Sequence, residues 1–91
     1  DEDYFGEQPM WFSADKVVLS VAEEKVEDRD RMSLVIILEA AKRVKPGEII
    51  ELVTTFLPAP GIDVLRSKGY EVWTTRQGEG VIKSYFLKSA D

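Results

Sequence analysis

The sequence predicts an α/β fold: a two-layer sandwich of order βαβαββ, with a four-stranded mixed sheet and two helices on one face. Three observations predict it. Short apolar runs of strand length stand at 16–21, 48–56, 70–76 and 81–88, and their side chains alternate between two faces. Two segments with helical spacing separate the first three of these runs. Only "QGEG" separates the last two, a spacing that closes a hairpin. A strand, a crossover helix and a second strand place two strands side by side in parallel, and the helices then cover one face of the sheet.

The first strand is "KVVLSV" at 16–21, where Val17, Leu19 and Val21 alternate with Val18 and Ser20. The charged connection "AEEKVEDRDR" follows. A helix begins near Asp28 or Asp30, because either carboxylate can accept a bond from a free first-turn N–H. Met32, Val35 and Leu38 recur at helical spacing, and Ile36, Ile37, Ala40, Ala41 and Val44 widen the apolar face. Lys42, Arg43 and Lys45 suit the negative end of the helix dipole, and Pro46-Gly47 stops the helix. In the second strand, Ile50, Leu52, Thr54 and Phe56 share one face, and Ile49, Glu51, Val53 and Thr55 share the other. "LPAPG" breaks the chain at 57–61, and Pro60 fits the first turn of a short second helix. Ile62 and Leu65 point inward from it, and Gly69 ends it. The closing hairpin sets Val81, Lys83, Tyr85 and Leu87 against Ile82, Ser84, Phe86 and Lys88.

Composition limits the chemistry. At 91 residues the chain forms one domain. An arm at 1–14 precedes the α/β domain at 15–91. Folding at this size buries only roughly 60–65% of the unfolded surface, so the core is thin. There is no cysteine, hence no disulfide and no thiolate nucleophile. There is no histidine either, which removes the usual proton-transfer group near neutrality and the commonest transition-metal ligand. The net charge of −5 comes largely from the first seven residues, where Asp1, Glu2, Asp3 and Glu7 meet no basic residue. Nucleic-acid binding needs concentrated positive charge and is not expected. No apolar run reaches the roughly 18 residues of a membrane span. No basic start with an apolar core marks a signal peptide. A cytoplasmic protein without membrane, cofactor or metal is the expectation.

Residues 16–88 resemble the small TusA/SirA-like sulfur-carrier family. The likeness rests on "AAKRVKPGEIIELVTT", similar to that family's helix end, Pro-Gly turn and second strand, and on "IDVLRSKGYEVW", similar to its second helix and third strand. It implies the same βαβαββ sandwich, with sulfur or redox metabolism as context. Sulfur-carrying members place a Cys-Pro pair at the start of the first helix. The comparable region here is Asp30-Arg31-Met32-Ser33-Leu34, so this chain does not carry sulfur by that mechanism. A shared fold does not bring a shared activity with it.

The remaining candidates divide between structure and contact. Ser33 lacks a base and a charge stabiliser, and reads as a helix-start hydroxyl bonded to backbone. The acids at Glu23, Glu24, Glu27, Asp28 and Asp30 alternate with Lys25, Arg29 and Arg31, which suits a solvated, locally paired surface better than a cation site. "QGEG" lacks the Lys and Ser/Thr of a phosphate loop. The arm carries Tyr4, Phe5, Met10, Trp11 and Phe12, and either folds back on its own domain or anchors another chain. Phe56 and Leu57, beside two prolines, form a rigid crossover or a contact ridge. Trp73 faces either the helices or the open side of the sheet. Val18, Ile49, Val53, Trp73 and Phe86 are the expected members of that open side, which the arm or another chain must cover. No catalytic residue is expected. The expected contact residues are Tyr4, Phe5, Trp11, Phe12, Arg29, Arg31, Phe56, Leu57, Trp73 and Phe86. The partner is another protein chain or a second copy. The function this implies is a non-catalytic interaction module or accessory subunit. The alternatives are an accessory that completes a partner enzyme's site and a small-molecule-binding module.

Overall fold

The computed structural model describes residues 5–22, 35 and 37–88. A four-stranded mixed sheet carries two helices in the order β-α-β-α-β-β. A single 3₁₀ turn at Ala14–Lys16 leads into β1, Val17–Ala22. The first helix, α1, is helical at 35 and 37–41. Strand β2 spans Ile49–Thr54, helix α2 Ala59–Ser67, and the closing hairpin pairs β3, Glu71–Arg76, with β4, Ile82–Leu87. The spatial order is β1-β2-β4-β3. β1 runs parallel to β2, and β4 lies antiparallel to both β2 and β3. The expected start of α1, together with Ser33 and the charged run at 23–31, lies outside the described residues.

Both helices pack on one sheet face. Ile37, Ala40, Ala41 and Val44 from the α1 segment meet Ile50, Leu52 and Phe86 of the sheet and Ile62 and Leu65 of α2. Ile37, Ile50, Ile62, Leu65 and Phe86 are wholly buried. Phe86 is therefore a core residue beneath the helices. Its expected place on the open face is corrected: Tyr85 points there instead. Alternation along β4 separates the two rings but does not say which one faces the helices.

Helix α1 ends earlier than its Pro-Gly stop. The last helical residue is Ala41, and two shorter-range bonds follow, Lys42 N–H to Glu39 C=O and Arg43 N–H to Ala40 C=O. Pro46 disfavours helical backbone at Lys45, whose N–H instead donates to the Glu48 carboxylate at 2.7 Å. The loosened end is satisfied from across the fold. Lys88 Nζ donates to the Ala41 and Val44 carbonyls at 2.9 and 2.8 Å, placing a cation where orphan carbonyls and the dipole call for one. Helix α2 ends on a glycine motif. Tyr70 N–H reaches Leu65 C=O, Gly69 N–H reaches Arg66 C=O, and Gly69 has φ of 95°, which a residue with a side chain adopts only at a cost.

In the β4–β3 pair, Ser84 and Thr74 oppose each other beneath the helices. Both are wholly buried, and among the described residues neither hydroxyl has a hydrogen-bond partner.

Candidate functional site

The open sheet face is partly covered by the chain's own arm. Phe5 pairs in a parallel bridge with Thr74 on the outer edge of β3, and the Arg76 guanidinium lies 4.6 Å from the centre of the Phe5 ring. The Trp73 indole N–H donates to the Gly6 carbonyl at 2.9 Å. Phe12 meets Trp73 and Tyr85 edge to face, with ring centres 4.9 and 4.6 Å apart. Trp73 and Tyr85 stack at 5.3 Å. This geometry follows from register. Trp73 and Tyr85 are direct cross-strand partners on one face, and their paired rings form a platform for a third.

Across the same row the face turns polar. Tyr85 opposes Glu51, and Glu51 opposes Ser20. The Glu51 carboxylate accepts hydrogen bonds from Ser20 Oγ at 2.6 Å and Tyr85 OH at 2.9 Å, and Lys83 Nζ stands 3.8 Å away. Burial pushes the Glu51 carboxyl up, but the bonds from Ser20 and Tyr85 and the charge of Lys83 together outweigh it, and the carboxyl is held below its ordinary value. Burial, with the hydrogen bond to Glu51 and the carboxylate's negative charge, pushes the Tyr85 hydroxyl up to about 12. Both groups thus stay in one protonation state near neutrality, Glu51 charged and Tyr85 neutral. The network fixes the row and is poorly matched to proton transfer at pH 7.

The expected contact residues therefore separate into several places. Phe5, Phe12 and Trp73 come together in the arm-covered cluster. Trp11 is half-buried in the same arm. Leu57 packs against the core and Phe56 is half-buried in the crossover, while Phe86 lies within the core. Tyr4, Arg29 and Arg31 are outside the described residues. The sequence reading missed Tyr85, Glu51 and Ser20. The one local signal for them was the alternation that separates Tyr85 from Phe86. Their convergence depends on β4 inserting between β2 and β3.

Two features remain uncovered among the described residues. At the β1 side, Val18 sits where the register with β2 slips, between Val17 and Leu19, and is 51% exposed; Val35 on α1 is 48% exposed. A hollow of about 250 Å³ opens at Val35, lined also by Leu19, Val21, Glu39, Ala40 and Arg43. Between the two helices lies a larger hollow of about 490 Å³, in which Leu38, Leu65 and Tyr70 meet Glu39, Lys42, Lys68 and Lys88, with Lys42 3.4 Å from Glu39.

The class defined by fold and surface is a small two-layer α/β domain whose open sheet face is partly covered by its own arm and in which, among the described residues, no strand pairs with the outer side of β1. Comparison with protein-family models, curated proteins and solved structures finds no match for this chain.

Proposed function

We propose that this chain is a non-catalytic protein-interaction module, a small subunit or adaptor that contributes surface to a larger assembly. The resemblance to sulfur carriers points to sulfur or redox metabolism as its setting. The observation that carries the reading is the unequal treatment of the two sheet edges. The β3 edge is occupied by the arm through the Phe5–Thr74 bridge. Among the described residues, no strand pairs with the outer side of β1. Strand β1, "VVLSVA", contains neither charge nor proline, the usual defences of a free edge. Two of the three exposed large apolar side chains of the described residues, Val18 and Val35, flank it. Native mass spectrometry of the untagged protein from its source tests this. A complex of defined stoichiometry is expected, and its loss on Val18→Lys would place the contact. A bare protomer under all gentle conditions would overturn the reading.

The larger hollow favours a second reading, a small-molecule-binding module. An apolar floor with Lys68 at the rim suits an apolar anion. Titration with a medium-chain carboxylate tests it, with Lys68→Ala expected to weaken binding.

A further inference from the structure

We propose that the hollow between the two helices is a carboxylate site, in which Lys68 and Tyr70 hold the head group of a medium-chain fatty acid and the acyl chain lies on Leu38 and Leu65. This rests on the small-molecule reading above and adds to it the class of ligand and the two head-group donors.

Lysines near helix C-termini ordinarily serve the helix ends, so the cations around the hollow divide by what each already does. Lys88 is engaged at the end of α1, where its Nζ donates to the Ala41 and Val44 carbonyls. Lys42 stands 3.4 Å from the Glu39 carboxylate, and the two charges offset each other. Lys68 has neither task. At the end of α2 the Val64 carbonyl accepts from Ser67 Oγ at 2.6 Å. The Leu65 carbonyl accepts from Tyr70 N–H and the Arg66 carbonyl from Gly69 N–H, both at 3.0 Å. The last carbonyls of α2 are therefore satisfied without the Lys68 ammonium. Lys68 is exposed, and among the described residues no carboxylate pairs with it.

Tyr70 supplies the second donor. The chain turns between the two residues at Gly69, whose φ is 95°, and both side chains line the same hollow. The Tyr70 ring packs against the core, and among the described residues its hydroxyl has no partner. Burial raises that hydroxyl above its ordinary value, so it keeps its proton at pH 7. An ammonium can only donate, and a protonated phenol donates as well. A carboxylate accepts from both and forms charge-assisted bonds with them. One disengaged ammonium matches a monoanion.

The rest of the hollow sets the body of the ligand. Val35, Leu38 and Leu65 give it an apolar lining, and its volume of about 490 Å³ lies within the roughly 300–1,000 Å³ of small-molecule sites. The donors stand at the end of α2, whereas Val35 and Leu38 belong to α1. A ligand with its charge at one end and an apolar chain behind it satisfies both sides.

Isothermal titration of the purified full chain at pH 7 with octanoate, and with octanol as its neutral counterpart, tests the proposal. Octanoate should bind at least about tenfold more tightly than octanol, and the methyl resonances of Leu38 and Leu65 should shift as it binds. Tyr70→Phe keeps the ring and removes only the hydroxyl, and Lys68→Met keeps the apolar stem and removes only the charge. Both variants should fold as the wild type does, and each should weaken octanoate about tenfold while leaving octanol unchanged. Equal affinity for the two ligands, shifts confined to another part of the chain, or octanoate binding that neither variant weakens overturns the proposal, while the small-molecule reading stands. Binding of neither ligand overturns both.

Discussion

Replacing Phe12 by Ala tests whether the arm belongs to the folded domain. Phe12 is half-buried and meets two rings edge to face. Half-burying a phenyl ring contributes about 1–1.5 kcal/mol, and each edge-to-face pair adds about 0.5–1.5 kcal/mol. Phe12→Ala should therefore cost about 2–4 kcal/mol. A chain of this length has total stability on the order of 5–14 kcal/mol, so the loss is a large share of the whole. It corresponds to a fall in melting temperature of roughly 10–20 °C. The arm stays attached at a second point, through the Gly6 carbonyl bonded to Trp73 and the Phe5 bridge to Thr74, so the domain should still fold. Urea denaturation followed by far-ultraviolet circular dichroism gives the energy without relying on the tryptophans that the change disturbs. Hydrogen exchange gives the place: amides at 5–12 and along β3 should exchange faster, while those of β2 should fall only by the global loss. A cost below about 0.5 kcal/mol, with exchange at 5–12 unchanged, would refute the account of the arm as cover for the aromatic half of the sheet.

Tyr85 and Glu51 give a signature at each end of the pH scale. The folded Tyr85 hydroxyl titrates near 12 against an ordinary 10, so its contribution is complete below pH 10 and is lost as the pH rises to 12. Two pH units amount to about 2–3 kcal/mol, and the stability gap between the wild type and Tyr85→Phe should narrow across that window; a constant gap would contradict the burial of the hydroxyl and its contact with Glu51 that together raise it. For Glu51 the sign reverses, because its folded value is depressed. Its contribution is complete above the ordinary 4.5 and fades as the pH falls through the folded value, so Glu51→Gln should approach the wild type in acid. Thr74→Val removes a buried hydroxyl with no partner among the described residues and should stabilise the fold by about 1 kcal/mol; a loss in thermal denaturation would mean that the hydroxyl is bonded.

The strands and their order were legible because each run is short, alternates at period two, and ends at a turn residue. The two faces of β2 were correctly divided, Ile50, Leu52 and Thr54 from Ile49, Glu51 and Val53, because alternation alone fixes the division and Glu51 marks one face as polar. In β4 that contrast fails. Tyr85 and Phe86 are adjacent rings of similar size, so parity was legible but direction was not, and Phe86 was placed on the wrong side. Trp73 stayed open between two faces for the same reason. The end of α1 was placed too late because Pro46 marks where a helix must have stopped, whereas the capping Lys88 comes from more than 40 residues further on. The Ser20–Glu51–Tyr85–Trp73 row joins four strands. Only the spatial order β1-β2-β4-β3 assembles it, and no local spacing encodes that order.

That row also divides the open sheet face into two chemically different parts. A two-layer fold leaves one sheet face bare, and in a domain this small the bare face is the default candidate for an interface. Here the face is graded. On β3 and β4 the stacked Trp73 and Tyr85 rings lie against Phe12, while Ser20 of β1 and Glu51 of β2, joined by Lys83 from β4, form a polar group that tolerates water. A partner on the aromatic half would have to displace an arm held by ring contacts and a hydrogen bond, and a partner on the polar half would have to desolvate a carboxylate already fully engaged. Neither displacement is needed at the β1 edge. There the strand's outer backbone groups lack a strand partner among the described residues, Val18 and Val35 are exposed, and the hollow over Leu19 and Val21 is unfilled. On the interaction reading proposed above, binding at the edge would add backbone hydrogen bonds and apolar burial without displacing a described strand pairing.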